Sequence, residues 1–116
     1  MAPNYLGGIV GDNKGTVLNC RFEGSLIGST AGGIVGSNGG TVSNCHVSGS
    51  VSNGGVIIST GAVIGFIYSS NGIDFSNVVV TGNTFSTSAT GQTWGIGEDR
   101  RLAIPGPSNN GTTALP

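Results

Sequence analysis

The sequence predicts an all-β fold: a short parallel β-helix (β-solenoid) of about three coils with a C-terminal strand-like tail. The stretch Gly7 to Leu26, GGIVGDNKGTVLNCRFEGSL, returns 25 residues later as Gly32 to Val51, GGIVGSNGGTVSNCHVSGSV, with thirteen of twenty positions identical. A short period built from glycine and β-branched residues marks one strand–turn unit copied and stacked. No window sets apolar residues at a spacing of 3.6 among good helix formers. Short apolar runs separated by Gly, Asn and Ser follow strand and turn usage instead.

Each element of the unit has its reason. Gly8-Ile9-Val10, Thr16-Val17-Leu18 and Cys20-Arg21-Phe22 are the strand-like runs of the first copy. Asn13-Lys14-Gly15 and Asn38-Gly39-Gly40 occupy the same place in both copies and are expected to form a tight turn with positive φ. Alternation puts Cys20 and Phe22 on one face and Arg21 and Glu23 on the other; in the second copy Cys45 and Val47 face in, His46 and Ser48 out. A slip of one residue would bury Arg21 and Glu23, so the register is well specified.

A degraded third copy follows. Gly61-Ala62-Val63-Ile64-Gly65 matches Gly32 to Gly36 at a shift of 29, and Ser76 to Gly82 matches Ser43 to Gly49 at a shift of 33. The difference is read as a longer turn around Ser69-Ser70-Asn71-Gly72. This alignment forms three structural columns: Asn19, Asn44 and Asn77; Cys20, Cys45 and Val78; Phe22, Val47 and Val80. Stacked asparagines can bond to one another and to turn backbone, so a structural ladder is the expected role of the first column.

Composition narrows the function. With 116 residues, 23 glycines, 8% charged residues and 36% hydrophobic residues, the chain is one small folded domain and does not have the composition of a disordered one. A net charge of −1 offers no basic stripe, so nucleic acid is not an expected partner. No apolar run is long enough to cross a membrane. Met1-Ala2-Pro3 leads straight into the repeat without the charged and apolar segments of a signal peptide, and the expectation is a fragment of a larger protein.

The phrase GGIVG-x-N-x-G-T-V-x-N-C-x-x-x-G-S, present twice, resembles the GLUG repeat family. The resemblance runs from Leu6 to about Gly82, and Gly82 to Gln92 is similar to the aromatic, Thr- and Gly-containing close that follows the last repeat. That family occurs in tandem in large bacterial surface proteins, including adhesins and some peptidases that cut immunoglobulin A. The resemblance implies an extracellular β-solenoid, part of an adhesin or stalk, and brings no catalytic residues.

No catalytic, cofactor-binding or metal-ligating set is expected. Cys20 and Cys45 lie one coil apart, within reach of a disulfide, but parallel inward side chains seldom adopt its dihedral, so a buried free-thiol ladder is favoured. His46 points away from the cysteines and cannot complete a metal site with them. The acids Asp12, Glu23, Asp74, Glu98 and Asp99 do not recur in columns, and a polysaccharide-cleaving β-helix would need them to converge on one face.

The expected organisation is GLUG-like repeats over 5–91, a C-terminal cap or pairing tail over 92–107, and a linker over 108–116. Trp94, Ile96, Leu102 and Ile104 either fold over the last coil or meet a second molecule by strand addition. The expected function is a non-catalytic structural or adhesive repeat, extracellular or on a bacterial cell surface, without cofactor. Its expected partners are itself, through stacking or strand exchange, and host or matrix glycan or protein. A self-assembling fibre subunit and, less favoured, a carbohydrate-active β-helix are the alternatives.

Overall fold

The computed structural model describes residues 5–28, 30–52, 59–68 and 75–115. The first coil comprises β1 (Tyr5–Gly7), β2 (Val10–Asn13), β3 (Thr16–Leu18), β4 (Arg21–Phe22) and β5 (Ser25–Ile27). The second repeats it as β6 (Thr30–Gly32), β7 (Val35–Asn38), β8 (Thr41–Ser43), β9 (His46–Val47) and β10 (Ser50–Ser52). The third runs β11 (Ser59–Gly61), β12 (Ile64–Ile67), β13 (Val79–Thr81), β14 (Asn83–Ser86) and a single helical turn α1 (Thr87–Thr90). The tail adds β15 (Ile96–Asp99), β16 (Gly106–Ser108) and β17 (Thr112–Leu115).

Each strand of the first coil pairs in parallel with its counterpart in the second, and β6 to β9 pair likewise with β11 to β14 in the third, which is the defining geometry of a β-solenoid. Tyr5 stands beside Thr30 and Thr30 beside Ser59; Thr16 stands beside Thr41, and Arg21 beside His46. The core fills the second and third coils, where Ile34, Val35, Val42, Val47, Val63, Ile64 and Phe85 are fully buried. In the first coil Leu6, Val10, Phe22 and Leu26 only partly bury against that core.

Backbone geometry explains two glycine and asparagine columns. Gly7, Gly32 and Gly61 are register neighbours. A Cβ on Gly32 would run into the Val35 carbonyl oxygen and the Gly65 nitrogen, and one on Gly61 would meet Ile64 and Gly97 in the same way. The chain turns so tightly there, and the next coil lies so close, that only hydrogen fits. The second column turns the corner from β3 to β4 and its equivalents. Asn19 and Asn44 adopt left-handed φ of 54° and 55°, and Gly82 and Gly111 follow at 65° and 98°. Asn and Gly are the residues that tolerate that region at least cost.

That column corrects the expected third copy. Val79 pairs with Thr41 and Val80 with Val42, while Phe85 pairs with Val47. The offset between second and third coils therefore rises from 29 at β12 to 38 at β13, an insertion of nine residues rather than four. Val80 extends the Val17–Val42 column, and Phe85 takes the place over Val47 that was expected for Val80. Val78 lies against the Phe75 and Gly40 segment, and Asn77 is an exposed turn residue. Gly82, not Asn77, stands over Asn44. The proposed turn at 69–72 lies outside the described residues.

The turns at Asn13-Lys14-Gly15 and Asn38-Gly39-Gly40 also differ from expectation, because neither uses positive φ. The Asn13 and Asn38 side chains close them instead, accepting from the Gly15 and Gly40 N–H groups at 3.1 Å each. An Asx turn of this kind gives the chain a reversal without a left-handed residue.

The tail is part of the stack. β15 pairs in parallel with β12, β17 pairs in parallel with β14, and β16 returns antiparallel to β15. The expected linker over 108–116 thus contains β17. Ile96 is fully buried beside Ile64, so it belongs to the core and is not available for self-association; Trp94 and Ile104 are exposed, and Leu102 is half-buried. Asp99 anchors this partial fourth coil. It is 0% exposed, takes two bonds from the Arg101 guanidinium at 2.9 Å, and accepts from Ser108 Oγ at 2.7 Å.

Candidate functional site

The cysteines come first because they are the most reactive groups in the sequence. Both are free thiols: Cys45 is buried, and Cys20 is half-buried in the open first coil. Cys20 Sγ donates to the Leu18 carbonyl at 3.2 Å, and Cys45 Sγ to the Ser43 carbonyl at 3.4 Å. Burial pushes the Cys45 thiol up from its ordinary value, so it is protonated and inert at neutral pH. Asn83 continues their column: its Oδ1 accepts from the Cys45 N–H at 2.9 Å and its Nδ2 donates to the Val42 carbonyl at 3.0 Å. His46 is bonded through Nδ1 to Thr84 Oγ1 at 2.6 Å. These are structural contacts, and among the described residues no group of three or more His, Cys, Asp or Glu side chains is placed to hold a metal ion.

A different place gathers chemistry. One side of the sheet β2–β7–β12–β15 carries an open cleft of about 490 Å³ lined by Asp12, Lys14, Ser37, Phe66, Tyr68 and Arg100. Every layer of the stack contributes: Asp12 and Lys14 from the first coil, Ser37 from the second, Phe66 and Tyr68 from the third, Arg100 from just beyond β15. The register explains the convergence, since Asp12, Ser37, Phe66 and Glu98 are successive neighbours across the four strands.

The two aromatic rings organise the cleft. Phe66 and Tyr68 are two residues apart along the chain, and their rings lie nearly parallel, with centroids 6.1 Å apart and planes 13° apart. Tyr68 lies across Gly39, where a Cβ would come within 2.9 Å of its Cζ. From there its hydroxyl donates to Asp12 Oδ1 at 3.0 Å, bridging the third coil to the first. The Arg100 guanidinium sits over Phe66, 4.6 Å from the ring centroid, and its Nε is tied to Glu98 Oε2 at 2.8 Å. A cation over a ring face is attracted by the ring quadrupole, so Phe66 and Arg100 hold each other in place.

Residue patterning points to no cluster here because Phe66 and Tyr68 begin the segment read as an inserted turn, and Asp12 lies 56 residues from its partner. A usable signal was nonetheless present. At the positions where the first two copies carry Asp12 and Lys14, then Ser37 and Gly39, the third alone carries aromatics. Asp74, the other acid considered near a turn, lies outside the described residues.

Among known proteins, residues 27–52 match a family model described as the GLUG motif. That segment runs from the end of β5 through the whole second coil to the end of β10. No curated protein and no solved structure matches the chain. The second coil therefore carries a GLUG motif, and the first coil is a near copy of it.

Proposed function

We propose that the chain is a non-catalytic structural and adhesive repeat domain of a bacterial cell-surface or secreted protein. The observation that carries this reading is the stack: three coils and a partial fourth, joined by parallel ladders, present side chains from four layers on one continuous surface. Such a scaffold suits repeated weak contact better than enclosed chemistry. The acids support the non-catalytic part. Asp12 and Glu98 share a sheet but are separated by three strand spacings, about 14 Å, whereas acid pairs of glycoside hydrolases stand roughly 5–10 Å apart. Glu98 is also paired with Arg100, and Asp99 with Arg101.

Antibody labelling of intact producing cells tests the assignment. Signal at the surface or in the medium is expected, and antigen confined to the cell interior would remove it. Incubation with polysaccharides should release no reducing ends; release would make the chain an enzyme.

A second reading, self-assembly, has one observation in its favour. At the tail end of the stack β16 covers β15, and Gln92 Nε2 donates to the Val51 carbonyl at 2.7 Å, while β11, β13 and β17 end their sheets. In the first coil all five strands end their sheets, with Ile9 45%, Leu18 49% and Ile27 64% exposed. Association would therefore use the uncovered first coil, against a second copy's first coil or its open tail-end strands. Light scattering over a concentration series decides it: a particle of constant mass rules assembly out.

A further inference from the structure

We propose that the Phe66–Tyr68 cleft binds a pyranose unit of an acidic glycan. This deepens the adhesive reading above and rests on it, by naming the ligand class and the residues that meet it.

Three features of the cleft point to a sugar. First, it offers two nearly parallel aromatic rings fixed at the surface, Tyr68 by its bond to Asp12 and Phe66 by Arg100. The Arg100 guanidinium covers one face of Phe66, so the C–H face of a pyranose would pack on the ring surface that remains, with little ordering cost because the platform is already held. Second, the rings are flanked by the Asp12 carboxylate and the Arg100 guanidinium within one open cleft of about 490 Å³, with the buried Ser37 beneath them. That volume admits one or two sugar rings, and those groups match vicinal hydroxyls as acceptors and donors. Third, the cleft lies open along the sheet rather than closed around its contents, so a chain could pass through it instead of ending in it.

Charge selects the kind of sugar. Glu98 is occupied by Arg100, and Asp12 accepts from Tyr68. Lys14 forms no ion pair among the described residues, whereas Arg21, Arg100 and Arg101 each do. The cleft balances overall, Lys14 and Arg100 against Asp12 and Glu98, but the exposed Lys14 ammonium has no carboxylate in contact among the described residues, and a sugar carboxylate would supply one. Nucleic acid shares the taste for aromatic stacking, but a chain of net charge −1 lacks the phosphate-tracking groove it requires.

Affinity electrophoresis of the full chain through gels containing polygalacturonate, hyaluronate or an uncharged glucan tests the proposal. Retardation by at least one acidic polymer is expected, with at least ten-fold weaker retardation by the glucan. Tyr68→Ala should weaken acidic-polymer binding at least ten-fold. Lys14→Gln, an exposed change that leaves the fold intact, should narrow the gap between acidic and neutral polymers several-fold. Ile104→Ala, at an exposed residue that does not line the cleft, should change nothing. Absence of retardation by any acidic polymer, or full retardation by a Tyr68→Ala chain with a native circular dichroism spectrum, overturns the proposal. Equal retardation by the glucan, or a Lys14→Gln chain that keeps its preference, overturns the acidic assignment. Failure here with surface labelling intact would leave the structural repeat standing; binding with an interior antigen would do the reverse.

Discussion

Asn13 lies one coil below Asn38, and its Nδ2 donates to Asn38 Oδ1 over 2.9 Å where both side chains are almost without solvent. Asn38 in turn bonds the Gly40 N–H through Oδ1 and the Gly40 carbonyl through Nδ2. Asn13 repeats the N–H bond one coil down and adds the Thr41 carbonyl. The amide ladder expected at Asn19 and Asn44 is thus built at Asn13 and Asn38, and ends at Ile67, which occupies the next layer. Asn19 and Asn44 serve the backbone, as left-handed corner residues.

Replacing Asn38 by Ala should cost about 2 kcal/mol, the range for leaving buried partners unsatisfied. The Gly40 N–H and the Asn13 amide would both lose a bond. Urea unfolding measures it, and a loss below half a kilocalorie would show that the ladder is incidental.

At the corner column, Asn44→Gly should be nearly neutral and Asn44→Ala should destabilise by about 1 kcal/mol, because Ala enters the left-handed region at a penalty. Equal stability of the two variants would argue that the corner relaxes.

Asp99 makes stability depend on acid. Burial alone would raise its carboxyl, but the bonds from Arg101 and Ser108 outweigh burial and hold it below the ordinary value. A lowered carboxylate contributes stability that is complete above the unfolded value near 4 and fades as pH falls through the folded value. Thermal unfolding followed from pH 6 downward should show a loss beginning near pH 4 that Asp99→Asn lacks. At pH 7, Asp99→Ala should cost about 3 kcal/mol, since it strands a largely buried Arg101.

The thiols should differ in reactivity. Iodoacetamide at pH 8 is expected to modify half-buried Cys20 well before Cys45, which is 1% exposed with a raised thiol value. Mass spectrometry of peptides from timed samples reads the order; equal rates would mean that the first coil opens as one with the second.

Much of the architecture was legible in the residues. The shift of 25 between the first two copies holds in every described strand pair between them, from Tyr5 with Thr30 to Ile27 with Ser52. The third coil was not legible, and Val78-Val79-Val80 shows why. Three consecutive valines satisfy alternation in either register, so Ser76-Asn77-Val78 imitates Ser43-Asn44-Cys45 without sharing its position. The need for a left-handed residue at the corner resolves the ambiguity, and Gly82 meets it.

By itself, then, the order of amino acids determined that this chain winds into stacked parallel coils, because a repeated strand–turn unit can bury its apolar face only against its own copies. Tertiary structure decided where the inserted residues fall, that the tail becomes a fourth layer, and that Asp12, Phe66, Tyr68 and Arg100 meet. Those outcomes depend on ladder bonds and side-chain contacts between residues dozens of positions apart, and local patterning does not encode that distance.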